Sequence, residues 1–501
     1  MKPFALFRSS IGTALSLFSA HLSHSAVFNI ANGDVTGLKN AITTANANGQ
    51  DDVIELATNG IYTLTTRDNG INGLPRIGAD GGRHLTLHGN GATIGRSSMG
   101  GTLKFRLLYI SSGASVTLGG LTLSNGDITA LGSSYGGGIY SDGESGSVTL
   151  TVSNCTFTMN SADYGGALYN DGETVSATLS VINSTFTRNS ANYGGALFND
   201  GAFGSATLSV AGSTFNENSA GLDSGALQHD AYTGSATGTV INSTFSQNSA
   251  GRNGGGIYID GESGSATLNL VNCTLSQNTS VSRGDGIYNT TGSGGIAVLN
   301  IGNTILDVGA CCENIFNNNG TITSFGYNLS SDEAGGNLTT GPDGFLNHPR
   351  DKRNTAPLLD PAGLKNNGGP TWTIALQAVS PALDQGRRNT ISVTDVDQRG
   401  ESRPFNDPGV PNAIGGDGSD IGAYEASVRI TAEDRIVNDL RLSFTSILGH
   451  SYEVQSRPNP TPGMWTSILG TTTVGTGGIV QVIIVNAFNQ SQQFYRVRQF
   501  P

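Results

Sequence analysis

The sequence predicts an all-β chain: a parallel β-helix with 29 or 30 residues per coil, then a small C-terminal antiparallel β-sandwich. Three observations carry this. From Cys155 the chain repeats itself, NCTFTMNSADYGGALYNDGETVSATLSVI being followed by NSTFTRNSANYGGALFNDGAFGSATLSVA and three further, progressively looser copies. The large apolar residue recurs at Phe157, Phe186, Phe215, Phe245, Leu275 and Ile305, a fixed step in which each repeat covers its neighbour's apolar face. The repeats hold short alternating runs such as SATLSV and GGALYN between Gly, Ser, Thr and Asn turns, and no window of about 11 residues has apolar residues at helical spacing.

Composition narrows the function classes. Glycine makes up 72 of 501 residues and charged residues only 13%, yet the strict period and a filled apolar column argue against disorder. Net charge is −12, and no Lys lies between Lys104 and Lys352. Such a surface lacks the basic patches that nucleic acid or anionic lipid requires.

Residues 1–25 read as an export signal, with Lys2 and Arg8 before an apolar stretch and a small-residue cleavage region near Ala26; the run is too short for a membrane span. Residues 26–51 form an N-terminal cap, with Val35, Leu38, Ile42 and Ala45 at helical spacing. Strands are expected from Asp52, and 52–345 leaves room for nine or ten coils, a rod of roughly 45 Å. Cys155 and Cys273 share one repeat position four coils apart, roughly 19 Å, far beyond disulfide reach, so they read as small fillers. A vicinal bridge between Cys311 and Cys312 is compatible with the sequence but not demanded by it, and the spacing fits no zinc site. Residues 346–425 form a capping module, and 426–501, with LRLSFTSI, SYEVQSR, GIVQVIIV and QQFYRVRQF, the β-sandwich. The oligomeric state stays open.

Stacking turns repeat positions into columns about 4.8 Å apart. Ile139, Leu168, Leu197, Leu227, Ile257 and Ile287 form an aliphatic column facing the core. Alternation sends Tyr140, Tyr169, Phe198, Tyr258 and Tyr288 to the other face, where Asp142, Asp171, Asp200 and Asp260 follow two residues on. This stripe is the candidate ligand-binding surface, since aromatic faces beside acceptors suit sugar rings or a partner protein; the competing reading is that stacked rings simply stabilise the sheet. A Ca²⁺ ion between neighbouring Asp residues would relieve their repulsion, with solvated Asp-Gly turns as the alternative; no other cofactor or metal is assigned. Asn160, Asn189, Asn218, Asn248 and Asn278 form a further column whose side chains can bond along the stack. The repeat breaks most clearly at QHDA, where His229 is either a proton-transfer residue or drift in a degenerate copy. Carboxylates recurring in every coil look like scaffold, whereas an active site breaks the repeat, so no catalytic residue is assigned.

Phe-x-x-Asn (FTMN, FTRN, FNEN, FSQN) paired with Gly-Gly-Ala-Leu or Gly-Gly-Gly-Ile resembles the repeat of bacterial polymorphic outer-membrane proteins, surface β-helices related in fold to pectin lyases. The resemblance covers about residues 120–305 and implies a right-handed β-helix acting at the cell surface or outside the cell. Within 355–425, NGGP, SPALD, DQRG and DIGAYE resemble the choice-of-anchor module that follows such helices. Its Asp384, Asp397, Arg399, Arg403, Asp420 and Glu425 invite a catalytic reading, but Arg–carboxylate pairs are also how an irregular cap satisfies partly buried charge, and the cap is the preferred reading. The function expected from the sequence is thus that of a non-catalytic, exported or surface-bound protein for adhesion or ligand binding, its partner a glycan or surface protein; the alternative is a polysaccharide lyase or hydrolase. In-register Asn-x-Ser/Thr at Asn154, Asn183, Asn242 and Asn272 reads as repeat chemistry.

Overall fold

The structure is a computed structural model and describes residues 25–132, 134–292, 294–307, 309, 312–335, 344–407, 410–428, 430–458, 464–489 and 493–500. The export signal expected over 1–25 lies outside these but for Ser25, and so does Cys311; Cys312 is disulfide-bonded, while Cys155 and Cys273 are free and buried.

The chain winds into a right-handed parallel β-solenoid of about 10 turns, with a small antiparallel region at its C-terminus. Its walls are parallel sheets of 11, 10 and 8 described strands, joined in the middle coils by a short fourth sheet of 4. The first sheet begins earlier than Asp52: Ala26–Ile30 already pairs in parallel with Asp52–Leu56. The helix Val35–Ala45 follows, with Asp34 capping the Gly37 amide, and it buries Leu38, Ala41, Ile42 and Ala45. Among the described residues no helix is long and apolar enough to cross a membrane.

The core is built from the columns that the repeat specifies. Phe157, Phe186, Phe215 and Phe245 are fully buried and stack in parallel at 4.7, 4.7 and 4.6 Å. Leu168, Leu197, Leu227 and Ile257 face them from the third sheet. The column then slips: Leu275 pairs with Leu306, and Ile305 pairs with Thr274. One extra residue in that coil turns Ile305 to the opposite face, where it packs against the tail instead of continuing the Phe column.

The turns explain the residue choices between strands. The Asn of the in-register Asn-x-Ser/Thr triplets adopts a left-handed backbone, with φ of 53° at Asn154, 49° at Asn183, 48° at Asn242 and 51° at Asn272. Asn tolerates that conformation best among non-Gly residues, which accounts for the motif without any glycan. In the Gly-Gly pair, Gly165 and Gly194 have φ of 59° and 62°, while a Cβ on Gly166 or Gly195 would lie 2.3 or 2.2 Å from the carbonyl oxygen of the next coil.

Residues 371–426 lie along the rod's flank. Thr371 donates to Gly212 O at 2.7 Å, Thr244 to Gln398 Oε1 at 2.6 Å, Asn242 to Val396 O at 2.9 Å, and Asn303 to Asp420 O at 2.9 Å. The Ala423 amide donates to Thr274 Oγ1 at 3.0 Å. Beyond the flank, Leu329 bridges to Lys352, and Ile305 and Leu329 share a core with Ala375, Leu376, Leu383, Ile421 and Tyr424. Several charged residues of this segment pair with one another. Arg403 and Glu425 pair at 3.1 Å with no exposure, and Arg399 pairs with Asp397 at 2.8 Å over the Tyr424 ring. Asp420 accepts the amides of Asp384 and Ala426. Such pairing is what buried ions require, and it leaves these groups turned away from solvent.

C-terminal strands Ile430–Ile436, Asp439–Thr445 and Ile479–Ile484 form one antiparallel sheet, and Ser451–Arg457 pairs with Phe494–Phe500 in another. Leu440, Leu442 and Phe444 from the first meet Tyr452 and Val454 from the second in a shared core.

Candidate functional site

The aromatic stripe points away from the coil interior, as alternation requires, yet most of it is covered. Tyr169 and Phe198 are each 4% exposed and Tyr258 8%, while Tyr140 and Tyr288 are half-buried. The cover is a second aromatic row, Tyr135, Tyr164 and Tyr193, from the turn before each Gly-Gly pair. Tyr135 lies 4.7 Å from Tyr169, and Tyr164 lies 5.9 Å from Phe198. These tilted and edge contacts are favourable ring geometries. At this end of the stripe the rings are packing against each other.

The Asp column is tied into the same arrangement. Tyr109, Tyr140 and Tyr169 donate their hydroxyls to Asp142, Asp171 and Asp200 of the next coil, the Tyr140 bond being 2.5 Å. The other oxygen of each accepts the amide two residues on: Glu144 for Asp142, Glu173 for Asp171 and Ala202 for Asp200. Buried Asx turns with Tyr donors thus replace the solvated Asp-Gly turns expected from sequence. Among the described residues no group of three or more His, Cys, Asp or Glu side chains is placed to hold a metal ion.

Burial pushes Asp171 up to about 7 and Asp200 up to about 6, against Tyr hydroxyl bonds that pull the other way. The folded chain therefore keeps protons there that the unfolded chain releases near its ordinary 3.8. The resulting stabilisation is complete below the unfolded value and is lost as pH rises through about 7. His229 acts oppositely, since burial lowers it to about 4 and its contribution is lost as pH falls below 6.5. Changing Asp171 and Asp200 together to Asn is expected to flatten the fall in melting temperature between pH 5 and 8, read as the difference from the parent by calorimetry.

The stripe breaks, and the covering row ends, at the same coil. Register aligns Phe198 with Gln228 and Gln228 with Tyr258, so an amide stands where the stripe should carry a ring. In the covering row Tyr193 aligns with Asp223. The result is a notch of about 270 Å³ with Gln228 in its lining. Phe198, Tyr164 and Tyr193 lie on one side, Tyr258 and Arg252 on the other. Gln228 itself occupies the rung between Phe198 and Tyr258 and is 3% exposed, so the rings that reach the open side of the notch are the half-buried Tyr164 and Tyr193.

The hydrogen-bond ladder breaks there too. Phe198 has no hydroxyl for Asp230, and Gln228 has none for Asp260, which takes a 3.4 Å bond from its own coil's Tyr258. Asp230 Oδ1 and Gln228 Oε1 are buried without hydrogen-bond partners, although Gln228 is only 3% exposed. Burial, followed by the charges of Asp200, Asp260 and Glu262, holds the Asp230 carboxyl well above the ordinary range. Arg252 is held by both oxygens of Asp223, its Nε lying 2.8 Å from Oδ1. A larger hollow of about 410 Å³ lies between the tail and the second sheet, but its lining contains one ring, Trp372, and no facing pair.

His229 is not at this site. It stands between Asn199 of the preceding coil and Ile259 of the next, is fully buried, and bonds Asn199 Nδ2 at 3.2 Å and Thr267 O at 3.1 Å. Its neutral ring faces the coil interior, opposite to the notch. Gly238 makes room for it, standing where adjacent coils carry Leu208 and Leu268; a Cβ there would meet His229 Cε1 at 2.9 Å.

Set beside known proteins, the chain matches no family model and no curated protein.

Proposed function

We propose that this is an exported, surface-associated or secreted rod that binds a glycan without cleaving it, a sugar ring lying in the notch against Tyr164 and Tyr193. The observation that carries the reading is the break of the aromatic stripe at Gln228, at the coil where the covering row ends, which opens a notch lined by Tyr164, Tyr193 and acidic side chains. Ring faces beside polar groups in a concave site are how pockets receive flat polar ligands. The likeness of the repeat to polymorphic outer-membrane proteins, and of the tail to the choice-of-anchor module, supports bacterial export and envelope association. In this reading the tail's motif residues Gln398 and Asp420 serve to dock it on the rod.

A second reading, polysaccharide hydrolysis, has one observation in its favour: Asp230, which holds its proton well above the usual range, faces the notch together with Asp260 and Glu262. An acid beside an ionised carboxylate is the pairing that glycoside hydrolysis uses. One experiment separates the two. The mature protein is applied to a glycan array and to matching soluble polysaccharides, with binding read by fluorescence and cleavage by new reducing ends. Gln228→Tyr restores the ring that the other coils carry, so it is expected to keep the fold and weaken binding more than tenfold. New reducing ends that vanish in Asp230→Asn would overturn the non-catalytic reading.

A further inference from the structure

The hollow of about 410 Å³ between the tail and the second sheet is built around a tryptophan that the fold holds out of the core. Thr371 and Thr373 on either side of Trp372 are buried, and the Trp372 carbonyl accepts Thr214 Oγ1 at 2.7 Å and Gln398 Nε2 at 3.1 Å. The backbone is thus fixed to the rod, while the indole is left 54% exposed. A large ring kept in solvent by a rigid backbone, within a concavity, is a platform for the C–H face of a flat ligand. The rod's side of the hollow is the outer face of the second sheet, where Asn216, Ser246 and Ser276 align in register and the exposed Gln247 and Gln277 follow at the turns. Gln247 Nε2 lies 3.4 Å from Gln277 Oε1, so this wall offers donors and acceptors alike. Its carboxylates already have partners: Glu217 pairs with Arg188 at 2.7 Å, Asp360 pairs with Lys365, and Asp307 accepts the Ser276 hydroxyl at 3.0 Å.

We infer that this hollow is a second, separate binding site, for a neutral β-linked glucose chain, one unit lying face-on against Trp372 while its neighbours run along the rod beside Gln247 and Gln277. It does not rest on the reading of the notch. With its charges paired, the hollow favours a ligand without charge, and amides that both donate and accept match hydroxyls that do the same. Coils repeat about every 4.8 Å, close to the advance of one unit in an extended β-linked chain, so successive units meet the same wall on successive coils. All-equatorial hydroxyls leave a flat face of axial C–H groups for the indole, whereas an α-linked chain curls away from a straight wall. A proline-rich segment would also stack on an indole, but its ring nitrogens bring no donor for the glutamine oxygens, which favours the sugar.

The chain has two tryptophans, and the other, Trp465, lies in the C-terminal region under Arg457 and Arg496. Trp465→Phe in the full chain therefore leaves emission that reports on this hollow alone. It is titrated with cellohexaose, maltohexaose, galacturonic acid hexamer and hexaproline, and again after adding Gln228→Tyr. Calorimetry follows the same ligands on Trp372→Ala and on Gln247→Ala with Gln277→Ala, with thermal melts to verify folding. The expected result is a saturating emission shift with cellohexaose that Gln228→Tyr leaves unchanged, at concentrations at least tenfold lower than maltohexaose or the uronate requires. Cellohexaose affinity should fall more than tenfold in Trp372→Ala and several-fold in the glutamine double variant. Cellohexaose binding that Gln228→Tyr abolishes and Trp372→Ala does not touch overturns this site and leaves the notch reading standing. Uronate or maltohexaose acting as strongly as cellohexaose overturns the neutral, extended ligand. Hexaproline binding more tightly than cellohexaose, and lost in Trp372→Ala, overturns the sugar and points to a protein partner. Emission that no titrant shifts overturns the inference outright, whatever binds at the notch.

Discussion

Replacing Asn218 by Leu is expected to destabilise the rod by about 4 kcal/mol, from the sum of several buried groups left unpaired. Asn218 Oδ1 accepts both the amide and the side-chain Nδ2 of Asn189, each at 3.0 Å. Its own Nδ2 donates to Phe186 O and to Asn248 Oδ1, both at 2.9 Å. Leu has nearly the same volume, so the loss is of hydrogen bonds and not of packing. The same contacts recur from Asn160 through Asn278, all almost wholly buried, so each rung also orders the next. Urea unfolding of the variant checks the magnitude. A loss below about 1 kcal/mol would mean that the ladder adds little beyond the backbone bonds beside it.

Gly238→Leu is expected to lower stability by about 3 kcal/mol, at the upper end of what overpacking costs. The added Cβ alone lies 2.7 Å from Leu268 Cδ1 and 2.9 Å from His229 Cε1. Adding His229→Asn restores the pair of residues that the preceding coil carries, Asn199 and Leu208, and the double variant is expected to recover most of the loss. The coupling energy from the four-member cycle should be about 2 kcal/mol, within the range seen for residues in contact. Additive effects would show that His229 and Gly238 changed independently, and would remove the explanation of this coil as one compensated exchange.

Much of the rod is legible in the sequence because a coil imposes two periods at once, alternation within a strand and a 29- or 30-residue step between strands. Columns such as Leu168, Leu197 and Leu227 satisfy both, and they form the core. The step fails at Ile305, where one additional residue keeps the spacing plausible but reverses the face. Alternation also tells which way Tyr169 and Phe198 point, but not what covers them, since the covering ring comes from a turn whose path no strand rule fixes. The signal is nevertheless present: Tyr135, Tyr164 and Tyr193 are themselves spaced by the repeat. At QHDA the conspicuous residue is His229, the more reactive side chain, whereas the residue that opens the site is Gln228 beside it. The docking of the tail is beyond local pattern, because Thr214 and Gln398, which meet at 2.9 Å, are 184 residues apart.

That docking sets a limit on how this protein can change length. A β-solenoid grows or shrinks by whole coils, because a duplicated or deleted repeat still finds the same neighbour above and below. Upstream of Gly212 nothing in the described tail contacts opposes such an event, and a copy gained there would simply carry the N-terminal end farther out. Between Gly212 and Asn303 the tail reads successive coils with Thr371, Gln398, Val396, Ala423 and Asp420, like a gauge laid along a screw. A coil gained or lost inside that interval would put every later mark out of step. The rod's reach is thus open to variation at one end, while the part next to the tail is held to a fixed count.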